Sequence, residues 1–220
     1  MLPRRLLPVR VMASQVPPGR AGRSWLLERI ATASHGMELL RQKQQLLSRE
    51  WRRLVDHREE TVRAWTEALA EADRWATRSD ALGGTTATRL AGAAMAGRAE
   101  VVITWRNTMG VLHPDKVHVT ASTPPPTDLA ALNTAVGPSA SAHRKALEAA
   151  ARHAVAESAL RAIEIELAST RRRLRAIERH RLPWLEGELH ALVLRLDEVE
   201  REERLITRWA AQRSSEGGHS

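Results

Sequence analysis

Cysteine, phenylalanine and tyrosine are absent from this 220-residue chain. Without Cys there is no disulfide framework, no thiol nucleophile and no thiolate metal site, which suits a reducing compartment. Without Phe or Tyr, seven Trp are the whole aromatic complement, and the 43% apolar content leans on Ala and Leu. That is material for helix seams rather than for a thick, rounded core. Lysine is scarce as well: Lys43, Lys116 and Lys145 are the only three among 34 basic residues. The Arg bias reads as genomic base composition rather than chemistry. No apolar run approaches the roughly 20 residues that cross a bilayer. The stretch Met1 to Pro8 is basic but has no apolar centre, so it is a poor secretory signal, and Met12 is an alternative start.

What is present is charge and periodicity. The formal net charge of +8 favours acidic partners, whether nucleic acid, anionic lipid or an acidic protein surface, without choosing among them. The periodicity is more specific. A seam with 4-3 spacing runs through Leu26, Ile30, Ala33, Met37, Leu40, Gln44, Leu47, Trp51, Leu54, Arg58, Thr61, Trp65, Ala68, Ala72 and Trp75. Only Gln44, Arg58 and Thr61 depart from the apolar rule, and neither Pro nor Gly interrupts the run after Gly36. A 3.5-residue repeat sustained this long marks a helix built to lie along another helix. From Ser24 to Leu82 such a helix would be roughly 85–90 Å long, a rod rather than part of a globule.

The breaker cluster Pro17-Pro18-Gly19 precedes it, Ser24 is its candidate N-cap, and Gly83-Gly84 is its expected stop. A second seam, Leu160, Ile163, Leu167, Thr170, Leu174 and Ile177, meets Pro183, where a kink is expected. It resumes in shifted register as Leu185, Leu189, Leu192, Leu196, Val199, Glu203 and Ile206. Between the two seams, Glu100 to Arg106 is a β-branched strand candidate, and Asn107-Thr108-Met109-Gly110 could turn it into Val111-Leu112. A second short strand is placed around Val117-His118-Val119, and Thr120 to Ser141, with its Pro-rich and Gly-Pro-Ser stretches, reads as an exposed loop.

The predicted fold class is therefore mainly α: a long antiparallel two-helix coiled coil with a small middle region that holds a candidate β-hairpin. Residues 1–20 are expected to be a flexible extension, 21–84 the first long helix and 85–141 the middle region. Residues 142–213 form the second long helix and 214–220 a flexible tail. The expected arrangement gathers the outer ends of the two helices at one tip and places the middle region at the other.

Little points to chemistry. Gly83-Gly84 lacks the Gly-Lys-Ser/Thr that completes a phosphate loop. The nine His are scattered, none in a His-Glu-x-x-His pattern, and His180 and His190 are too far apart on a helix to share a metal. Glu198, Glu200, Glu202 and Glu203 interleave with Arg201 and Arg204 as a solvated helix face would, with pairs such as Glu200 with Arg204. Arg171-Arg172-Arg173 could meet phosphates, but a helix spreads consecutive residues about 100° apart. Trp51, Trp65 and Trp75 fall on the seam, which favours packing over base stacking. No catalytic residue, metal ligand or cofactor is assigned.

Three patches nevertheless resemble the D subunit of the V-type or A-type rotary ATPases. Pro18-Gly19-Arg20 with Gly36-Met37-Glu38-Leu39-Leu40-Arg41-Gln42-Lys43 is similar to that family's opening Pro-Thr-Arg and Gly-x-x-Leu-Leu-x-x-Lys. Met109-Gly110-Val111-Leu112-His113-Pro114 resembles its middle motif. Arg172 to Glu178, Leu182-Pro183 and Leu196 to Glu203 resemble its C-terminal helix. Gly19 stands where the family usually has Thr, and Arg175 where it has Asn.

The resemblance implies a non-catalytic central-stalk rotor protein with no cofactor. Its paired helices would enter the hexamer of A and B subunits, and its middle region would lie near the small F subunit and the adaptor on the membrane ring. It implies partner contacts at Arg20, Gly36, Leu39, Leu40, Lys43, Arg172, Arg173, Glu178, Pro183, Glu198, Glu200 and Arg201. It also implies a cytoplasmic location, held at the membrane indirectly through the complex, with no direct nucleic-acid contact. The competing readings are an Arg-rich helical hairpin that binds nucleic acid with steep salt dependence, and a generic coiled-coil scaffold or homodimer.

Overall fold

The structure, a computed structural model, describes residues 16–94, 99–120 and 134–216. Helix α1 spans Gly19–Ala94, strand β1 Glu100–Thr108 and strand β2 Val111–Thr120. Helix α2 spans Val136–Ala176, a π-helical turn Ile177–Arg181, and helix α3 Leu182–Glu216. The architecture is mainly α, with one small two-stranded antiparallel sheet between the long helices. The chain forms two compact units: Met1–Leu40 with Arg173–Ser220, and Arg41–Arg172.

In the second unit α1 pairs with α2. Leu47, Leu54, Ala159, Leu160, Ile163 and Leu167 make a buried cluster, with Trp51, Val55 and Val111 against it. Farther along, Ala72 meets Ala142 and Ala146, flanked by Ala68 and Trp75. Small side chains here permit close approach, while the Leu and Ile positions fill the wider gap. Lys43 Nζ lies 2.6 Å from Glu166 Oε1, and Trp51 Nε1 donates to Glu164 Oε1 at 3.0 Å. Thr61 Oγ1 sits 3.4 Å from His153 Nδ1. As numbers rise on α1 they fall on α2, so the pair is antiparallel. Trp65 stacks on His153 with centroids 5.4 Å apart, a packing use of the indole as its seam position predicts. Each buried Leu or Ile in such a seam contributes about 1.5–3 kcal/mol.

In the first unit α1 pairs with α3 in the same antiparallel sense. Leu26, Leu185 and Leu192 are buried together, with Val16, Trp25, Ile30, Ala33, Leu189 and Leu196 around them. No sequence pattern marks Gly22, yet it is indispensable here. A Cβ at that position would collide with the Pro17 carbonyl and come within 3.2 Å of Leu192 Cδ2.

The first seam is buried or half-buried throughout, except at Arg58, which is exposed. Five expectations need correction. Ser24 is not the N-cap: α1 starts at Gly19, in the left-handed region at φ 72°, and the Ser24 hydroxyl donates to the Arg20 carbonyl inside the helix. Gly83-Gly84 does not end α1, which continues to Ala94. Two glycines cost roughly 2 kcal/mol relative to Ala, too little to stop a helix that meets no Pro and continues into Ala-rich sequence.

The next helix begins at Val136 rather than near Ala142, and so absorbs Gly137-Pro138-Ser139, expected as loop. Pro138 falls in the first turn, where its missing N–H is no loss, and Ser139 N donates to Ala135 O at 3.0 Å. At the other end α3 runs to Glu216, past the expected boundary at 213. Finally, Val199, Glu203 and Ile206 continue the second seam in pattern only, because all three are exposed.

Just before Pro183, where a kink is expected, the helix widens into the π-helical turn Ile177–Arg181, in which Leu182 N–H bonds to the Ile177 carbonyl. One wider turn accommodates the missing donor and shifts the seam's register by about one residue. The expected extension 1–20 is described only from Val16, which packs on the Leu26 cluster. Most of the expected loop, at 121–133, lies outside the described residues, as do residues 95–98 and the tail 217–220.

Candidate partner-binding surfaces

Two surfaces carry apolar side chains that stand uncovered among the described residues. The first is the end of α3. Arg20, near the start of α1, faces Glu200 at 3.4 Å, and Glu200 also takes Arg204 at 3.2 Å. These exposed pairs contribute little stability, but they mark where α1 ceases to shield α3. Beyond them every residue from Arg201 to Arg213 is exposed, including Leu205, Ile206 at 65% and Trp209 at 68%. Helical geometry puts Val199, Ile206, Trp209 and Leu205 within about 120° of arc, which they share with Glu198 and Glu202, while Arg204 and Arg208 lie on the far side and Arg201 beside Leu205. A helix end that exposes large apolar side chains, with no mate among the described residues, is suited to another surface.

The second surface is the hairpin. Its two-residue turn, Met109-Gly110, has positive φ at both positions (52° and 83°), and Asn107 Oδ1 accepts from Gly110 N at 2.9 Å. That matches the turn whose twist suits a tight hairpin, and it is shorter than the four-residue turn expected from sequence. The strands are correspondingly longer. Pairing runs from Glu100 with Thr120 to Thr108 with Val111, and shifts between Thr104 and Trp105. Thr104 there pairs with Lys116 and Trp105 with Pro114, so Asp115 is the extra, bulged residue.

Strand β2 anchors the hairpin. Pro114 is buried, Val111 joins the α1–α2 cluster, and His113 is fully buried. The His113 ring holds Pro114 O at 3.1 Å through Nδ1 and lies 3.0 Å from Thr108 Oγ1 through Nε2. In the sequence His113 is one of several scattered histidines; only the cross-strand placement of Thr108 reveals its structural use.

A charged group adjoins this anchor. Arg53 binds Glu50 with a closest approach of 2.7 Å, and Arg106 meets Asp115 across the hairpin at 3.0 Å. The Arg53 hydrogen bond holds the Glu50 carboxyl below its ordinary pKa against the opposing effect of burial, with smaller help from the Arg106 charge. The Arg53 guanidinium is raised in turn, chiefly by Glu50 and further by Asp115. For a depressed carboxylate the stabilisation is present above the ordinary pKa and is lost as pH falls through the lowered one. Thermal unfolding should therefore weaken from neutral pH toward about pH 3, and Glu50→Gln should flatten part of that slope. Parallel melts of both proteins across that range make the check.

The residues expected to touch partners are not gathered into one site. Arg20 and Glu200 meet, Lys43 is held by Glu166, and Glu198 lies 3.7 Å from Arg201. Leu39 is 51% exposed, whereas Leu40 and Gly36 are half-buried on the seam side. Arg172, Arg173 and Pro183 are exposed, and Glu178 is half-buried in the π-helical turn. A shallow groove of about 540 Å³ by Arg20, Arg23, Asp197 and Glu200 holds no nucleophile paired with a base. Among the described residues no His, Cys, Asp and Glu cluster could hold a metal ion, and no helix is long and apolar enough to cross a membrane.

Comparison with known proteins accords with this geometry. The family model for the D subunit of ATP synthase matches residues 25–211. The A-type ATP synthase D subunit of Thermococcus gammatolerans is 31% identical over 199 residues, covering 85% of this chain and 89% of the relative. Its counterpart from Halorubrum lacusprofundi is 28% identical over 195 residues, with 87% and 86% covered. With a family match over most of its length and helices that pair as a stalk requires, the chain belongs to the family of ATP synthase D subunits and is a stalk component of a rotary ATPase.

Proposed function

We propose that this chain is the non-catalytic shaft of a proton- or sodium-translocating rotary ATPase or ATP synthase, linking nucleotide turnover in the A and B subunits to rotation of a membrane ring. The observation that carries this reading is the bare end of α3. Its apolar arc of Val199, Leu205, Ile206 and Trp209 is too exposed to serve the chain's own stability and is suited to a collar of other subunits. A shaft needs stiffness and asymmetry more than reactive groups. The antiparallel seams supply the first; a helix end with large apolar side chains beside Glu198 and Glu202 on one side, and Arg204 and Arg208 on the other, supplies the second, so successive catalytic interfaces meet different faces.

By the same family likeness, the F subunit and the ring adaptor are the remaining partners, and the chain works in the cytoplasm at the membrane's edge through the complex. The expected contact residues Arg20, Gly36, Leu39, Leu40, Lys43, Arg172, Arg173, Glu178, Pro183, Glu198, Glu200 and Arg201 belong to this proposal. Mixing the purified chain with A, B and F subunits tests it. Co-assembly with a rise in ATP turnover is the expected result, and failure of the A and B subunits to retain the chain would refute it.

A further inference from the structure

Among the described residues the edge of β1 is apolar, open and unprotected. Val101 is 52% exposed, Ile103 40% and Trp105 60%, and they alternate along one face of the strand. Among the described residues β1 pairs only with β2, so its other edge presents unpaired backbone N–H and C=O groups. Protected edges usually carry Lys, Pro or a bulge. Here the Lys, the Pro and the bulged residue (Lys116, Pro114 and Asp115) all sit on β2, and β1 has none of them. Because β2 packs on the α1–α2 cluster through Val111, with His113 and Pro114 buried, this edge is held in place rather than free to curl away.

We infer that in the unassembled chain this edge docks on the β1 edge of a second copy, antiparallel and centred on Ile103. The sequence of β1 is self-complementary in that register. Glu100 falls opposite Arg106 of the second copy, Val101 opposite Trp105, Val102 opposite Thr104, and Ile103 opposite Ile103. The register is isologous, so each heterotypic pair occurs twice. Glu100 and Arg106 are separated by an even number of residues, so both project from one face, and Val101, Ile103 and Trp105 from the other. One face thus gains two ion pairs and the other a continuous apolar patch. Arg106 already holds Asp115, and the five donors of a guanidinium leave capacity for a second carboxylate.

Alternative registers lose this match. A shift by one residue per copy about the two-fold places Glu100 opposite Thr104 or Thr108, which removes both ion pairs, and it breaks the Val101–Trp105 contacts. The paired surface is small compared with the roughly 1,200 Å² of a standard interface, so the association is weak and reversible. It would cover an aggregation-prone edge until the chain meets its assembly partners. Only the hairpin takes part, so the pairing is independent of any role as a shaft.

Sedimentation of the full chain from about 1 to 200 µM, with amide exchange on the same samples, tests it. The expected result is a monomer–dimer equilibrium with slowed exchange along β1 at the higher concentrations. Ile103→Lys, which opposes two cations on the two-fold, should leave only monomer, and Glu100→Arg should weaken the dimer at least about tenfold by facing Arg106 with a like charge. A monomer at every concentration overturns the proposal. So does a dimer that survives Ile103→Lys, since it must use another surface. Both substitutions are at exposed sites, and an unchanged melting profile of the monomer confirms that folding is intact.

Discussion

Ile163→Asp lowers the thermal unfolding midpoint by on the order of 10 °C or more and removes the cooperative transition of the α1–α2 pair. Ile163 is completely buried between Leu47, Leu54, Leu160 and Leu167. The substitution deletes an apolar side chain worth about 2–5 kcal/mol at such a site. It also strands a carboxylate away from water, which adds several kcal/mol unless the group takes up a proton. Neither nearby cation can rescue it, since Lys43 is held by Glu166 and Arg161 pairs with Glu157. Leu192→Asp, in the α1–α3 pair, should act in the same way because Leu192 is only 5% exposed. Circular dichroism melts of both variants check the seam assignment. Unchanged midpoints would mean that the helices do not pair through these residues.

The double variant Ile206→Asp/Trp209→Asp shows the reverse pattern. Its melting profile stays close to that of the parent, because both side chains already face solvent. Assembly with A and B subunits, however, weakens by about 30-fold or more. That corresponds to roughly 2 kcal/mol lost from two large apolar contacts, a conservative share of their burial. ATP turnover of the mixture should fall with it at subsaturating shaft concentrations. The contrast matters more than either value. A stability loss without an assembly defect would place these residues inside the chain's own fold, and an assembly defect without a stability loss places them against other subunits.

Much of this arrangement is legible in the residue pattern, and the exceptions have physical causes. A 4-3 seam is a local property of the sequence, so Leu26 to Trp75 identifies the buried side of α1 almost residue by residue. A helix end depends on sums of small effects. Gly83-Gly84 opposes the helix weakly and is outvoted, and Pro138 starts one because a first turn does not need its N–H. The hairpin is visible in the β-branched run from Val101, but its two-residue turn is not, since Met109 is a poor advertisement for a left-handed backbone. Gly22 and His113 carry no pattern of their own, because their importance lies in what comes near them: the Pro17 carbonyl and Leu192 in one case, Thr108 and the Pro114 carbonyl in the other.

The partner surfaces divide in the same way. An apolar periodicity that outruns its mate looks identical to one that is paired, so Val199 and Ile206 read as seam until the position of Arg20 shows where α1 begins. Family likeness alone singles out Arg20 and Glu200, and the structure brings them together. The other expected contact residues are spread over both units.

Direct observation of rotation tests the central claim most sharply. The chain has no Cys, so Leu112→Cys on the exposed side of the hairpin gives a single attachment point for a bead. With the A and B subunits fixed to a surface and ATP supplied, the bead should turn continuously in one direction, pausing at three positions in each revolution. Complexes that retain the chain and hydrolyse ATP while the bead stays still would contradict a rotating shaft.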